Sequence, residues 1–289
     1  MLALFLAAAP IVAPVVDCDF DAVRMEFAGS PKEQARCLLR HVERGGSAIS
    51  LAVLPPALAG LVGQPVQIDP CRLTASLRKA HIALPATTPV AETSEHLRAI
   101  YFVIHDTSTP YIGNDAFPRN FGTTARYNDV SPYLGKDAVA HVFNDRFGRV
   151  IVGHDLEVGW RATKLEKTVG ERVRGRFLHI ENVQPRRADP AGAPGNDRIA
   201  PLPGFTKAQY ETLALLYVVA SARAGTWMIP GFHANIDRGI PKAHDDPQNF
   251  DLDAFDRGVG KWVAKLRRSS ARQKQWSDPD PQRNEKHER

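Results

Sequence analysis

The chain has 289 residues, 43% hydrophobic and 24% charged, a balance ordinary for a soluble globular protein and unlike a disordered one. That length exceeds one average domain and buries a substantial core without disulfides or metal as its main staple. Lysine plus arginine outnumber aspartate plus glutamate 37 to 32, a formal charge of +5 that favours polyanionic neighbours. No zinc-finger spacing or RNA-binding aromatic signature goes with the charge, so nucleic acid is not an expected partner.

Met1 to Val16 is an apolar run containing Ala7, Ala8 and Ala9 followed by Pro10. It is short of the roughly 20 apolar residues that span a bilayer, so no integral span is expected. It fits an export signal over 1–16, without the usual basic start, and predicts a periplasmic or secreted protein. Cys18, Cys37 and Cys71 all follow in the first quarter of the chain. In an oxidising compartment one pair would bridge, and spacing does not say which.

Residues 17–84 read as a small helical region. Ser30 before Pro31 and Glu33 forms a capping box with proline at the first helical position, and Ala35, Leu38 and Leu39 follow at helical spacing. Short helices are predicted from Pro56 to Val62, closed by Gly63, and from Pro70 through Leu73, Leu77 and Ala80. The Pro, Thr and Ala content of residues 85–95 reads as a linker.

A larger α/β domain is predicted over 96–266, with a central mixed β-sheet flanked by helices. Ala99 to Ile104 is a β-branched and aromatic run, the pattern of a strand buried on both faces. Ala138–Asn144 and Arg149–Val152 read as a hairpin turning around Arg146, Phe147 and Gly148. Phe177–Val183 and Met228–Phe232 are further strands. Between them Thr206 to Ala224 is the clearest helix, with Thr206 as N-cap, Leu213, Leu216, Val218 and Ala220 apolar, and Gly225 past its end. Pro185–Pro203 reads as a long loop rimming a cleft, Asp251–Leu266 as the last helix, and residues 267–289 as a disordered basic tail.

Two histidines end apolar approaches: His105 after Tyr101-Phe102-Val103-Ile104, and His233 after Ile229-Pro230-Gly231-Phe232. The carboxyl edge of an α/β sheet is where ligands usually sit. Asp246 precedes Pro247, which holds it in extended backbone. Two imidazoles and a carboxylate form a catalytic zinc set with a fourth position open.

Local context then adds a resemblance. In order along the chain stand Ile104-His105-Asp106-Thr107, the hairpin His141-Val142-Phe143-Asn144-Asp145-Arg146-Phe147-Gly148-Arg149-Val150, and Gly159-Trp160. Leu178-His179-Ile180-Glu181-Asn182, Phe205-Thr206-Lys207-Ala208-Gln209, His233 and Asp246-Pro247 with Phe250-Asp251 complete the series. From about Ala99 to Trp262 this resembles the type 2 N-acetylmuramoyl-L-alanine amidases, relatives of the peptidoglycan recognition proteins and small phage amidases.

The resemblance implies an amidase or peptidoglycan recognition protein-like fold and zinc held by His105, His233 and Asp246, with Asp245 as fallback ligand. It implies Glu181 as general base, Trp160 and Arg161 as substrate contacts, and peptidoglycan or a muropeptide as substrate. Where the family carries Lys or Thr to assist the oxyanion, this chain has His244, whose charge would titrate near neutral pH; Lys242 is the fallback. His141 reads as structural or supporting, and His154 and His179 as structural. The alternatives are a non-catalytic wall-recognition module and an exported lytic effector of the same chemistry.

Overall fold

The computed structural model describes residues 18–44, 46–48, 50–82, 97–135, 138–193 and 196–267. The expected export signal, the linker over 85–95 and the tail beyond Arg267 lie outside these residues.

The chain opens with a two-stranded hairpin, β1 (Phe20–Asp21) and β2 (Glu26–Phe27). Helix α1 (Pro31–Leu38) starts where the Ser30 hydroxyl accepts from the Glu33 N–H and the Glu33 carboxylate accepts from the Ser30 N–H, the reciprocal box foreseen from sequence. A second hairpin, β3 (Val42–Glu43) and β4 (Gly46–Ser47), precedes α2 (Pro56–Leu61) and α3 (Pro70–Lys79). A disulfide joins Cys18 to Cys37, and Cys71 is a free, exposed thiol.

There follow β5 (Tyr101–Asp106), β6 (Val142–Asn144), β7 (Val150–Val152), α4 (Lys164–Val169) and β8 (Phe177–Asn182). Then come β9 (Arg187–Ala193), β10 (Asn196–Ile199), α5 (Lys207–Ala224), β11 (Ile229–Phe232), α6 (His233–Ile236) and α7 (Leu252–Leu266). Five strands make the central sheet in the order β11-β5-β8-β6-β7, the first four parallel and β7 antiparallel to β6. The expected α/β architecture with a mixed sheet flanked by helices is therefore present.

Register divides the sheet into two chemistries. Paired residues point to the same side, and side chains alternate along each strand. Tyr101 and Phe177, Val103 and His179, and His105 and Glu181 are paired, so histidines and glutamate share one face with an aromatic pair stacked 4.7 Å apart at its lower end. The opposite face presents Phe102, Ile104, Leu178 and Ile180 to α5, where Phe102 meets Tyr217 edge-on at 5.3 Å.

Helix α5 buries residues on every side, Leu213 through Ala222 without a break. A helix apolar all round is a buried one, and α7 covers its outer side. Gly258 of α7 allows the close crossing, since a Cβ there would lie 2.9 Å from the Ala214 Cβ.

The 17–84 region shares one apolar cluster with the sheet through Leu38, Leu58, Leu73 and Leu77. The Tyr101 hydroxyl donates to Gln34 and accepts from the Phe27 N–H, both at 2.7 Å, so this region covers the lower half of the histidine-bearing face. The upper half, at the carboxyl ends of the strands, stays open as a cleft.

Two sequence boundaries change. Strand β5 runs on through His105 to Asp106, because pairing with β8 continues to Asn182. The segment read as a long loop over Pro185–Pro203 folds into the antiparallel β9–β10 hairpin, whose polar, proline-containing sequence hides a strand signal. Among the described residues no helix is long and apolar enough to cross a membrane.

Candidate metal centre

His105 comes from β5, His233 is the first residue of α6 directly after β11, and the two strands are neighbours. Their Nδ1 atoms lie 3.0 Å apart. Asp246 Oδ1 is 3.0 Å from His233 Nδ1, and its Oδ2 is 3.7 Å from His105 Nδ1. All three residues are buried and form a group that can hold a metal ion. Asp246 is fixed by the Asp106 N–H, 3.1 Å from Oδ2, and by the Ala234 N–H, which donates to its carbonyl at 2.9 Å. Asp245 instead accepts from Gln248 Nε2 at 2.6 Å and is not part of the group.

The donor chemistry fits a cation. His233 Nε2 donates to Asp237 Oδ2 at 2.9 Å, so that proton is held there and Nδ1, which faces the centre, is the atom that a cation would take in exchange for a proton. The donor separations bracket the ~3.3 Å edge of a tetrahedron of ligands about 2.0–2.1 Å from zinc. The electrostatics agree. Burial opposes charge on His233, but Asp246 and Asp237 outweigh it and push the pKa up to about 10, marking a point that favours positive charge. Burial, and next the charge of His233, hold the His105 pKa well below its usual value, which favours the neutral ring that can donate a lone pair.

Glu181 lies beside the group on β8, with Oε1 3.9 Å from His105 Nδ1 and 12% of its side chain exposed. Its Oε2 is buried and has no hydrogen-bond partner. Burial and then the Asp246 charge raise its pKa well above the usual carboxylate range.

His244 Nδ1 stands 3.4 Å from His233 Nδ1 and 3.8 Å from Asp246 Oδ1, with 55% of its side chain exposed. Burial, and next the neighbouring His233, lower its pKa below the usual histidine value. Lys242 is not among the residues lining the cleft.

The cleft above these groups has a volume of about 1190 Å³ and is lined by Trp160 and Arg161 as well as the metal-facing residues. Trp160 stacks on His154 at 4.2 Å and donates Nε1–H to the Val139 carbonyl. Arg161 pairs with Glu171 at 2.6 Å.

No family model, no curated protein and no solved structure matches the chain.

Several contributors escaped the sequence reading. His179, expected to be structural, lies with Nδ1 3.1 Å from His105 Nε2. Asp237 follows His233 by four residues, a helical spacing that would have flagged it. The buried Asp106–Arg186 pair, at 2.6 Å, closes the floor beside Asp246, and Arg186 leaves its Nε and Nη1 without partners. Nothing local to either residue announces that pairing across 80 positions. His141 donates Nε2–H to the Val158 carbonyl and accepts the His179 N–H, a supporting role.

Proposed function

We propose that the protein is a zinc-dependent amidase that cleaves the amide between N-acetylmuramic acid and L-alanine in peptidoglycan or its fragments. The observation that carries the reading is the convergence of His105, His233 and Asp246 beside the partnerless carboxylate oxygen of Glu181, at the floor of an open cleft. The ordered series of motifs from Ile104 to Asp251 supports the choice of substrate.

His105 and His233 would hold zinc through Nδ1, and Asp246 through its carboxylate. A bound zinc ion supplies Lewis acidity, which polarises an amide carbonyl and makes water a competent nucleophile near neutral pH. In this reading Glu181 accepts a proton from the attacking water at a carboxylate oxygen and hands it to the departing nitrogen. Its raised pKa in the cation-free protein moves it towards the range useful for such transfer. In this reading exposed His244, beside His233 and Asp246, donates a hydrogen bond to the developing oxyanion. The Trp160 ring offers an apolar wall for a sugar or peptide. The cleft exceeds the roughly 300–1,000 Å³ of ordinary small-molecule pockets, which suits a glycopeptide. Export would bring the enzyme to its substrate in the periplasm or outside the cell.

The test is zinc content together with release of stem peptide from a purified muropeptide, followed by mass. The parent is expected to bind zinc and release the peptide, and His105→Ala to lose both. Fragment binding without metal or cleavage would establish a recognition module instead.

A further inference from the structure

The far nitrogens of both metal-facing imidazoles lead to one turn of α4. Lys164 N and Leu165 N donate to Asp237 Oδ2 and Oδ1 at 3.1 and 2.9 Å, and the same Asp237 Oδ2 meets His233 Nε2 at 2.9 Å. One residue on, the Glu166 carboxylate accepts from Ala162 N, Thr163 N and Thr163 Oγ1 at 3.2, 3.0 and 2.9 Å. It also lies 3.1 Å from His179 Nε2, in a contact where neither side chain is exposed. His179 Nδ1 then stands 3.1 Å from His105 Nε2.

Hydrogen-bond polarity runs one way along this chain. Glu166 accepts from three donors already, as an ionised carboxylate does, so His179 Nε2 donates to it. In the tautomer with its proton on Nε2, His179 presents Nδ1 as an acceptor. His105 Nε2 is therefore the donor, and its Nδ1 lone pair faces His233 and Asp246. With His179 in that tautomer, a lone pair on His105 Nε2 would stand against the Nδ1 lone pair in a buried place.

We infer that the Thr163–Glu166 turn is a shared brace that fixes the tautomer and aim of both metal histidines, with His179 the positioning residue that carries it to His105. The inference rests on the reading of His105, His233 and Asp246 as a cation site. His179 and Glu181 are two apart on β8, so one strand presents both the positioning imidazole and the proposed base. Asp237 belongs to the opposite arm of the brace and reaches the same turn from the end of α6.

The experiment measures zinc affinity by chelator competition, and the visible spectrum of the cobalt(II)-substituted full chain, in the parent, His179→Leu, His179→Asn and Thr163→Val. His179→Leu removes the acceptor and is expected to weaken zinc binding about 10–100-fold and to shift the cobalt bands. His179→Asn places Oδ1 where Nδ1 stood and is expected to recover most of the affinity. Thr163→Val loosens Glu166 and is expected to move both readouts in the same direction by less. A leucine variant equal to the parent, or leucine and asparagine variants equally weak, overturns the inference. If the leucine variant fails to melt cooperatively, Thr163→Val decides, and parental affinity and spectrum there overturn it. A parent that binds zinc but cleaves no amide sinks the amidase reading and leaves the brace standing; a parent that binds no zinc sinks both.

Discussion

Glu181→Gln separates metal binding from chemistry. The glutamate is outside the group of convergent donors, with its nearer oxygen 3.9 Å from His105 Nδ1, so its replacement leaves the cation site whole. Glutamine fills the same space but cannot accept and return a proton. Loss of a general acid–base group costs about 10²–10⁴-fold in rate, which is about 2.7–5.5 kcal/mol of barrier. The same substitution acts on stability with the opposite sign. The folded pKa of Glu181 is raised by burial and then by Asp246, so its protonated form belongs to the stable fold and that stability is lost as pH rises through the folded value. Above that value the variant, carrying no charge there, is expected to melt at a higher temperature than the parent when both are cation-free. The assays are zinc content, muropeptide turnover, and calorimetry of the chelated proteins. Turnover within about threefold of the parent, far inside the 10²-fold lower bound, would remove Glu181 from the mechanism. A drop in bound zinc would show that it is a ligand.

The pH dependence of the cation-free protein should carry the signature of His233. Its folded pKa is raised to about 10 from 6.5, so the stability it brings is complete below 6.5 and lost as pH rises through about 10. The melting temperature of the chelated protein is expected to fall over that window more steeply than that of the zinc-loaded protein, and parallel slopes would refute it. Arg186→Met leaves the buried Asp106 carboxylate without its cation and is expected to cost about 3–5 kcal/mol in denaturant unfolding. A loss under about 1 kcal/mol, the scale of an exposed pair, would show that the pair is not buried in solution. Reducing the Cys18–Cys37 bridge, with a sequence separation of 19, is expected to lower stability by about 3 kcal/mol on chain entropy, and an unchanged midpoint under reductant would contradict it.

The proposed zinc ligands and Glu181 could be singled out because the ordered motifs of the resemblance carry them, helped at three of the four by apolar surroundings. His105 and His233 follow apolar runs, and Glu181 lies in the apolar strand Phe177–Asn182. The principal helices were legible for a related reason. The capping boxes at Ser30 and Thr206 and the left-handed Gly225 are short-range chemistry that a sequence displays directly. The β9–β10 hairpin was not legible, since its strands hold each other by backbone bonds along a polar, proline-containing segment with little alternation.

The sequence by itself determined the principal strands and helices, through periodicity and caps that act over a few residues, and it brought His105, His233 and Asp246 forward through the ordered motifs of the resemblance. The tertiary structure decided how those donors are held. His179 meets His105 across 74 positions, Arg186 meets Asp106 across 80, and the turn at Thr163–Glu166 reaches both imidazoles from a separate element. Such contacts form because buried polar groups must find partners wherever the packed chain places them, and that requirement leaves no periodic mark on the sequence.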